Sequence, residues 1–191
     1  MEIPNNILVL RTSMRKSLKN PREYILPYIW EKHYKIFKPL PNGPVPILGF
    51  CGQVNIYRKN ILNMSYTNPS IKTNFILRKF FFGGAEKEKS ISKINLIKDF
   101  YDNMEQSHFI ICNRGSGNFT MRFYQCLSAG RIPVLVDTDM LLPFTDRIPW
   151  KEFIIMEEDE NKVMMKIIDW WKNKNLEQIQ SKCSQIYYKY F

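Results

Sequence analysis

The chain has 191 residues, of which 45% are hydrophobic and 14% aromatic, so it can bury a sizeable core and disorder throughout is not expected. Its net charge of +10 favours an anionic partner, such as a nucleotide, a phosphosugar, an acidic glycan, nucleic acid or a membrane surface, although a solvated lysine-rich surface would give the same value. The chain holds four dispersed cysteines without a C-x-x-C pair and two histidines, which argues against a zinc site and a disulfide framework.

The N-terminal part of the chain is basic and aromatic and shows no regular hydrophobic period. Pro27 interrupts any long helix in residues 22–38, and four prolines in residues 39–46 indicate a linker or a stiff entry into the next unit. We therefore expect residues 1–44 to be an N-terminal segment, either a remnant or a lid, and residues 45–191 to form the main domain.

From residue 45 onward, short apolar runs alternate with amphipathic segments. The apolar runs predict strands at 45–52, 74–84, 108–112, 132–137 and 152–156. A helical turn is predicted at 56–64, and helices are predicted at 91–106, 118–129 and 175–190. The helix at 91–106 would bury one face, which carries Ile94, Ile97, Tyr101 and Met104. A further helix is predicted where Val163, Ile167, Trp170 and Trp171 share one face. The runs lack polar–apolar alternation, as expected for strands covered on both faces. The pattern predicts a Rossmann-like α/β fold of three layers with a mostly parallel sheet.

The stretch at 108–122 has the order strand, glycine turn, helix. In open α/β sheets the carboxyl ends of strands bind ligands, and the first turn of the following helix offers unpaired N–H groups to an anion. Gly115 and Gly117 allow a tight turn and a close approach, and the guanidinium of Arg114 can bind phosphate oxygens. The motif is neither a Walker loop nor G-x-G-x-x-G, so an ordinary glycine turn before a helix stays open.

The predicted helix at 118–129 carries a polar stripe. Asn118, Arg122 and Gln125 stand at i, i+4 and i+7, which places Arg122 one turn above the loop and Gln125 within reach of a ribose. Arg58 and Arg78 follow or end apolar runs, so each could reach the same crevice or lie on the surface.

Asp137-Thr138-Asp139 has the form of a D-x-D metal motif. It ends a predicted strand, and such short acidic motifs are common by chance. We favour a cap or a hydrogen-bonding role at the end of the strand over metal ligation.

The run "FIICNRGSGNFTMRFYQCLSAGRIPVLVDTDMLLPFTDRIPWKEFII" resembles the C-terminal part of the exostosin (GT47) family of glycosyltransferases, and "GFCGQVNIYRKNIL" and "KFFFGG" precede it in the same order. The resemblance spans roughly residues 45–172. It implies a GT-B architecture, in which this domain is the half that binds a sugar nucleotide. A UDP-sugar donor, an inverting transfer to a glycan or other hydroxyl acceptor, and no bound metal or further cofactor are also implied.

In GT-B sites, basic side chains and helix N-termini stabilise the departing diphosphate. The resemblance carries this role onto Arg114, the loop of Gly115, Ser116, Gly117 and Asn118, and Arg122, with Gln125, Arg58 and Arg78 as further nucleotide-sugar-binding candidates.

Two departures from the family pattern bear on activity. Gln125 stands where the family usually has Glu, so ribose hydroxyls would meet an uncharged acceptor. The 44 residues before the matching region are too few for a second Rossmann domain. The catalytic base is therefore unassigned, and a partner chain could supply the acceptor domain. The alternative to a transferase is a non-catalytic module that binds a nucleotide or an anionic glycan.

The sequence contains no apolar run of about 18 residues, so no transmembrane segment is expected. Because no signal peptide is recognisable and the thiols are expected to be free, the expected location is the cytoplasm, with attachment to a membrane surface as a second option. Nucleic-acid binding would rest on charge alone and is not expected.

Overall fold

The computed structural model describes residues 4, 6–28, 38–80 and 93–191, and within these residues the chain forms seven strands and five long helices. The strands are β1 (Val9–Arg11), β2 (Glu23–Ile25), β3 (Ile47–Gln53), β4 (Lys72–Arg78), β5 (Phe109–Ile111), β6 (Ile132–Val136) and β7 (Ile155–Glu157). The helices are α1 (Ile56–Tyr66), α2 (Lys93–Glu105), α3 (Met121–Ser128), α4 (Glu160–Asn173) and α5 (Leu176–Tyr190).

The central sheet has five strands, all parallel, in the order β4-β3-β5-β6-β7. Within this sheet, β3 comes first along the chain. The next strand, β4, pairs with one edge of β3, and β5 then pairs with its other edge. The carboxyl ends of β3 and β5 therefore form the topological switch point, where open α/β sheets bind their ligands. The prediction of a Rossmann-like α/β fold with a parallel sheet is confirmed.

Helices cover both faces of this sheet, because successive side chains of each buried strand point to opposite faces. In β5, Ile110 joins one apolar cluster with residues of α3 and α5, whereas Phe109 and Ile111 join the other with residues of α1 and α4. Both faces of the strand are thus apolar, which explains the absence of polar alternation in the sequence.

The N-terminal residues form a small parallel pair, β1 with β2, in which Leu10 lies beside Tyr24. This pair is attached to the main domain through backbone hydrogen bonds from Lys16 N to Asp139 O (2.9 Å) and from Leu141 N to Met14 O (3.0 Å). Part of the predicted segment 1–44, namely residues 1–3, 5 and 29–37, lies outside the described residues. The division at residue 44 stays a prediction.

Several predicted boundaries and one predicted buried residue, Ile94, are wrong. Residues 56–64 belong to a full helix, α1, whose N-cap Asn55 accepts a hydrogen bond from Tyr57 N. In α2, Ile94 is 76% exposed and Leu96 is buried instead. The last strand, β7, starts at Ile155 because a 3₁₀ turn, Trp150–Glu152, precedes it. The strand predicted at 74–84 is β4, and residues 81–84 lie outside the described residues.

Candidate nucleotide-binding site

Asn113, which the sequence analysis did not single out, fixes the loop that leaves β5. Its Oδ1 accepts a hydrogen bond from Val136 N (2.9 Å), at the end of β6, and its Nδ2 donates to Tyr57 O (2.9 Å) in the first turn of α1. The side chain is almost fully buried. One amide thus joins the end of β6 to α1. Its position directly after the apolar run "FIIC" was the signal in the sequence.

Two arginines join the strand ends at the topological switch point. Arg122, in α3, donates from Nη2 to Cys51 O (2.7 Å) in β3 and from Nη1 to Ile111 O (3.4 Å) at the end of β5. Arg58, in α1, donates from Nη1 to Gln53 O (2.8 Å) and from Nε to Asn113 O (3.3 Å). Each guanidinium therefore bridges β3 and the β5 side of the crevice.

Both guanidiniums are buried, and neither has a charged counterpart among the described residues. No hydrogen bond or salt bridge joins either of them to a carboxylate within residues 4, 6–28, 38–80 and 93–191. Both lie near the ring of Phe50, Arg122 at 4.4 Å and Arg58 at 5.6 Å from its centroid. Burial and the positive charge of Arg122 together lower the pKa of Arg58 to about 10. Nε of Arg122 is buried and makes no hydrogen bond to the described part of the chain. The described part of the site therefore holds two buried positive charges and no carboxylate that balances them.

The glycine loop lies beside these two arginines. The guanidinium of Arg114 stacks 4.4 Å from the centroid of the Tyr57 ring and donates from Nη2 to Ser116 O (2.9 Å). A Cβ atom on Gly115 would stand 3.7 Å from Nη2 of Arg58, and a Cβ atom on Gly117 would stand 2.9 Å from the ring of Phe119. Gly115 therefore brings the loop backbone close to a buried positive charge, and Gly117 leaves room for an aromatic ring.

Asn118 belongs to this loop and not to the helix. Helix α3 begins at Met121 because its N-cap, Thr120, has an extended backbone, so the predicted stripe is wrong at Asn118. Asn118 instead forms a reciprocal pair with Thr138: its Nδ2 donates to Thr138 O (3.1 Å), and Thr138 Oγ1 donates to Asn118 Oδ1 (2.6 Å). Gln125 is half-buried in α3, one turn after Arg122.

Arg78 differs from the other three arginines predicted for the site, Arg58, Arg114 and Arg122, because it has a carboxylate partner. It ends β4, at one edge of the sheet, and its Nη2 donates to Asp99 Oδ2 at 2.7 Å. The structure thus brings Arg58, Arg114 and Arg122 together around the glycine loop and leaves Arg78 neutralised beside α2.

The carboxylates of the Asp-Thr-Asp motif are already engaged by the N-terminal part of the chain. Asp137 pairs with the ammonium group of Lys16, and Asp139 accepts hydrogen bonds from the hydroxyl and the backbone N–H of Ser17 (3.2 Å for the latter). These contacts lower the pKa of Asp139, the hydroxyl contributing most. In the described residues, no group of three or more His, Cys, Asp or Glu side chains is arranged to hold a metal ion.

A known protein family has the same sequence pattern as the part of the chain that carries this site. Residues 55–170 match the model of the exostosin GT47 domain, a stretch of well over half the chain that contains the glycine loop and both buried arginines. The chain belongs to the exostosin GT47 family. The family resemblance predicted from the sequence is confirmed.

Curated relatives in the exostosin GT47 family match a short stretch of the chain. A probable glucuronosyltransferase of Oryza sativa subsp. japonica is 36% identical over 66 residues, which cover 34% of this chain and 16% of the relative. A probable glucuronosyltransferase of Physcomitrium patens is 31% identical over 70 residues, 36% of this chain and 16% of the relative. A probable beta-1,4-xylosyltransferase of Arabidopsis thaliana is 34% identical over 62 residues, 31% of this chain and 15% of the relative. The matches span about a sixth of these relatives.

Among solved structures, one chain of the GtfA/B complex superposes with a TM-score of 0.53 at 10% identity. The superposition covers 91% of this exostosin-family chain and 38% of the other chain. This similarity supports the fold, which is that of one half of a GT-B glycosyltransferase. Across the described residues, no helix is both long enough and apolar enough to cross a lipid bilayer.

Proposed function

We propose that this chain is the nucleotide-sugar-binding half of an exostosin-type transferase and that it binds a UDP-sugar at the glycine loop. The observation that carries the proposal is the pair of buried guanidiniums, Arg58 and Arg122, at the switch point between β3 and β5. Two like charges buried together raise the free energy of the empty site, and a diphosphate between them and Arg114 would lower it.

The proposed diphosphate lies over residues 114–118. Arg114, whose side chain is half-buried, and the backbone N–H groups of the loop would supply direct donors. Arg122 is only 9% exposed, so we assign it, with Arg58, the task of holding the strand ends and supplying charge beneath the diphosphate.

The proposed chemistry is departure of UDP as the acceptor hydroxyl attacks the anomeric carbon with inversion. The fixed positive charges would stabilise the negative charge that develops on the leaving diphosphate, the task that a metal performs in other transferases. Because the relatives are named glucuronosyltransferases and a xylosyltransferase, UDP-glucuronic acid and UDP-xylose are the first donors to test. The base that takes the acceptor proton is left unassigned and would come with the acceptor-binding half.

The second candidate is a binding module without catalysis. It is favoured by Gln125, which would offer a ribose an uncharged amide in place of a carboxylate. This candidate predicts UDP binding without transfer or hydrolysis.

The test of the proposal is calorimetric titration of UDP and the two UDP-sugars into the protein. We expect wild-type binding and a loss of about tenfold or more in Arg114→Ala, because a hydrogen bond to a charged group contributes about 1.5–3 kcal/mol. The matched control is Arg147→Ala, since Arg147 is an exposed arginine paired with the neighbouring Asp146. Absence of wild-type binding, or equal loss in the two variants, would contradict the proposal. Release of free sugar from a bound donor would exclude the non-catalytic module.

A further inference from the structure

The Asp-Thr-Asp motif contacts both the N-terminal part of the chain and the glycine loop. The outer residues, Asp137 and Asp139, hold Lys16 and Ser17, and the middle residue, Thr138, holds Asn118 of the glycine loop. We call Asp137, Thr138 and Asp139 the clip, and residues 12–17 the strap. The clip therefore contacts two distant segments. The glycine loop lies 20 residues before it along the chain, and the strap lies about 121 residues before it.

The strap is attached by its backbone as well as by its side chains. Lys16 N donates to Asp139 O, and Leu141 N donates to Met14 O, so that Arg15 and Met140 form an antiparallel bridge. The side chains of Met14, next to this bridge, and of Met140, within it, are both buried. Asp139 itself has φ at +61°, a left-handed conformation that costs a non-glycine residue free energy. The contacts with Ser17 offset that cost.

The attached strap packs directly on the glycine loop. Ser13 Oγ lies 4.0 Å from the position that a Cβ atom on Gly117 would take, and Thr12 lines the same small cleft as Phe119 and Thr120. The ring of Tyr28, after β2, meets the ring of Phe119 edge-on at 5.7 Å between centroids. The loop is thus held from one side by Thr138 and from the other by the strap.

We infer that the clip is a positioning element for the donor site: it fixes the strap against the loop so that the loop presents its backbone N–H groups to the diphosphate. The inference rests on the proposed function for the identity of the ligand. It assigns the acidic residues a structural attachment, and it makes residues 12–17 the second wall of the donor site.

The first test measures hydrogen exchange of the ligand-free protein and does not depend on donor binding. Asp139→Gly suits the left-handed backbone but removes the carboxylate, whereas Asp139→Asn keeps an acceptor oxygen and tolerates the same backbone. We expect Asp139→Gly to speed exchange of amides in residues 14–18 and also in 113–119 by about tenfold. The exchange rates of Asp139→Asn should lie within about threefold of the wild-type rates. The exposed control, Asp146→Asn, should exchange at the wild-type rates. Faster exchange in 14–18 alone would overturn the coupling.

The second test measures UDP affinity by calorimetry. Thr138→Val removes the hydroxyl that donates to Asn118, and Thr138→Ser restores it. We expect UDP to bind about three- to tenfold more weakly to Thr138→Val and to Asp139→Gly, with recovery in Thr138→Ser and Asp139→Asn. If wild type binds UDP and these variants bind it equally well, the positioning role is wrong. If wild type does not bind UDP, the proposed function fails, and the exchange data alone decide whether the clip holds the loop.

Discussion

Arg122 and Gly52 share one space at the end of β3: Nη2 of Arg122 lies 2.5 Å from the position that a Cβ atom on residue 52 would take. Gly52 also has φ at +152°, which L side chains rarely adopt. Only glycine at this position lets the guanidinium reach the carbonyl oxygen of Cys51. The glycine in "FCGQ" is therefore part of the arginine site, although it lies in a strand far from the glycine loop in the sequence.

Gly52→Ala should lower the free energy of unfolding by about 1–3 kcal/mol, because the new methyl group adds backbone strain and displaces Arg122. Urea unfolding measures this, and UDP affinity should fall in parallel. Gly43→Ala is the matched control, since nothing lies within 4 Å of a Cβ atom there. Equal stability of the two variants would show that Arg122 adapts without cost.

Arg122→Met and Arg131→Met should separate binding from stability. Arg131 lies at the amino end of the sheet and donates to six acceptors, among them Met104 O and Glu105 O. Its loss should cost about 3 kcal/mol or more of unfolding free energy, since several buried oxygens lose a donor, but should leave UDP affinity unchanged in the folded protein. Arg122→Met should cost less stability, because it relieves repulsion of Arg58, and should reduce UDP affinity about tenfold or more. If UDP affinity fell in Arg131→Met and not in Arg122→Met, the UDP site would not lie at the switch point.

Asn113→Ala should destabilise the protein by about 1–3 kcal/mol, because a part-buried N–H and a part-buried carbonyl oxygen both lose their partners. Asn113→Asp should cost at least as much, since its carboxylate would face Tyr57 O without a donor. Thermal unfolding measures both variants. Asn173→Ala offers a control, since the Asn173 side chain is exposed and donates to the exposed Asp169 one turn away. A loss below about 0.5 kcal/mol in Asn113→Ala would show that the loop does not depend on this amide.

His108 should make stability depend on pH. Its Nδ1 accepts from Ile47 N (3.1 Å), and its Nε2 lies 3.1 Å from Pro41 O, so the neutral ring satisfies both contacts. Burial, aided by the charge of Arg131, lowers the pKa of His108 below its usual 6.5. Because the unfolded chain then binds a proton more readily than the folded one, this stabilisation is complete above about pH 6.5 and is lost as the pH falls toward the folded pKa. Urea unfolding at pH 7.5 and 5.5 should show a decline that is smaller in His108→Gln. If the free energy of unfolding fell equally in the wild type and in His108→Gln, the pH dependence would come from other groups.

The failures of sequence-based prediction have identifiable causes. The helix predicted from residue 118 begins at Met121, because Asn118 finds its partner in Thr138, twenty residues later. Periodicity placed Ile94 on the buried face of α2, but the packing of that helix against the sheet buries Leu96. Neither contact can be derived from spacing within a single element.

The sequence by itself determined the α/β class, the parallel sheet, the family and the glycine loop, because apolar runs without alternation and a strand–glycine–helix order are local properties. Only the tertiary structure decided the arrangement of charge. It brought Arg58 and Arg122 together across β3 and β5 without a carboxylate in the described residues, and it gave Arg78 one in Asp99. It also turned Asp137 and Asp139 toward Lys16 and Ser17. Charges act through space, so the partners of these particular side chains follow from the topology of the sheet and not from their neighbours along the chain.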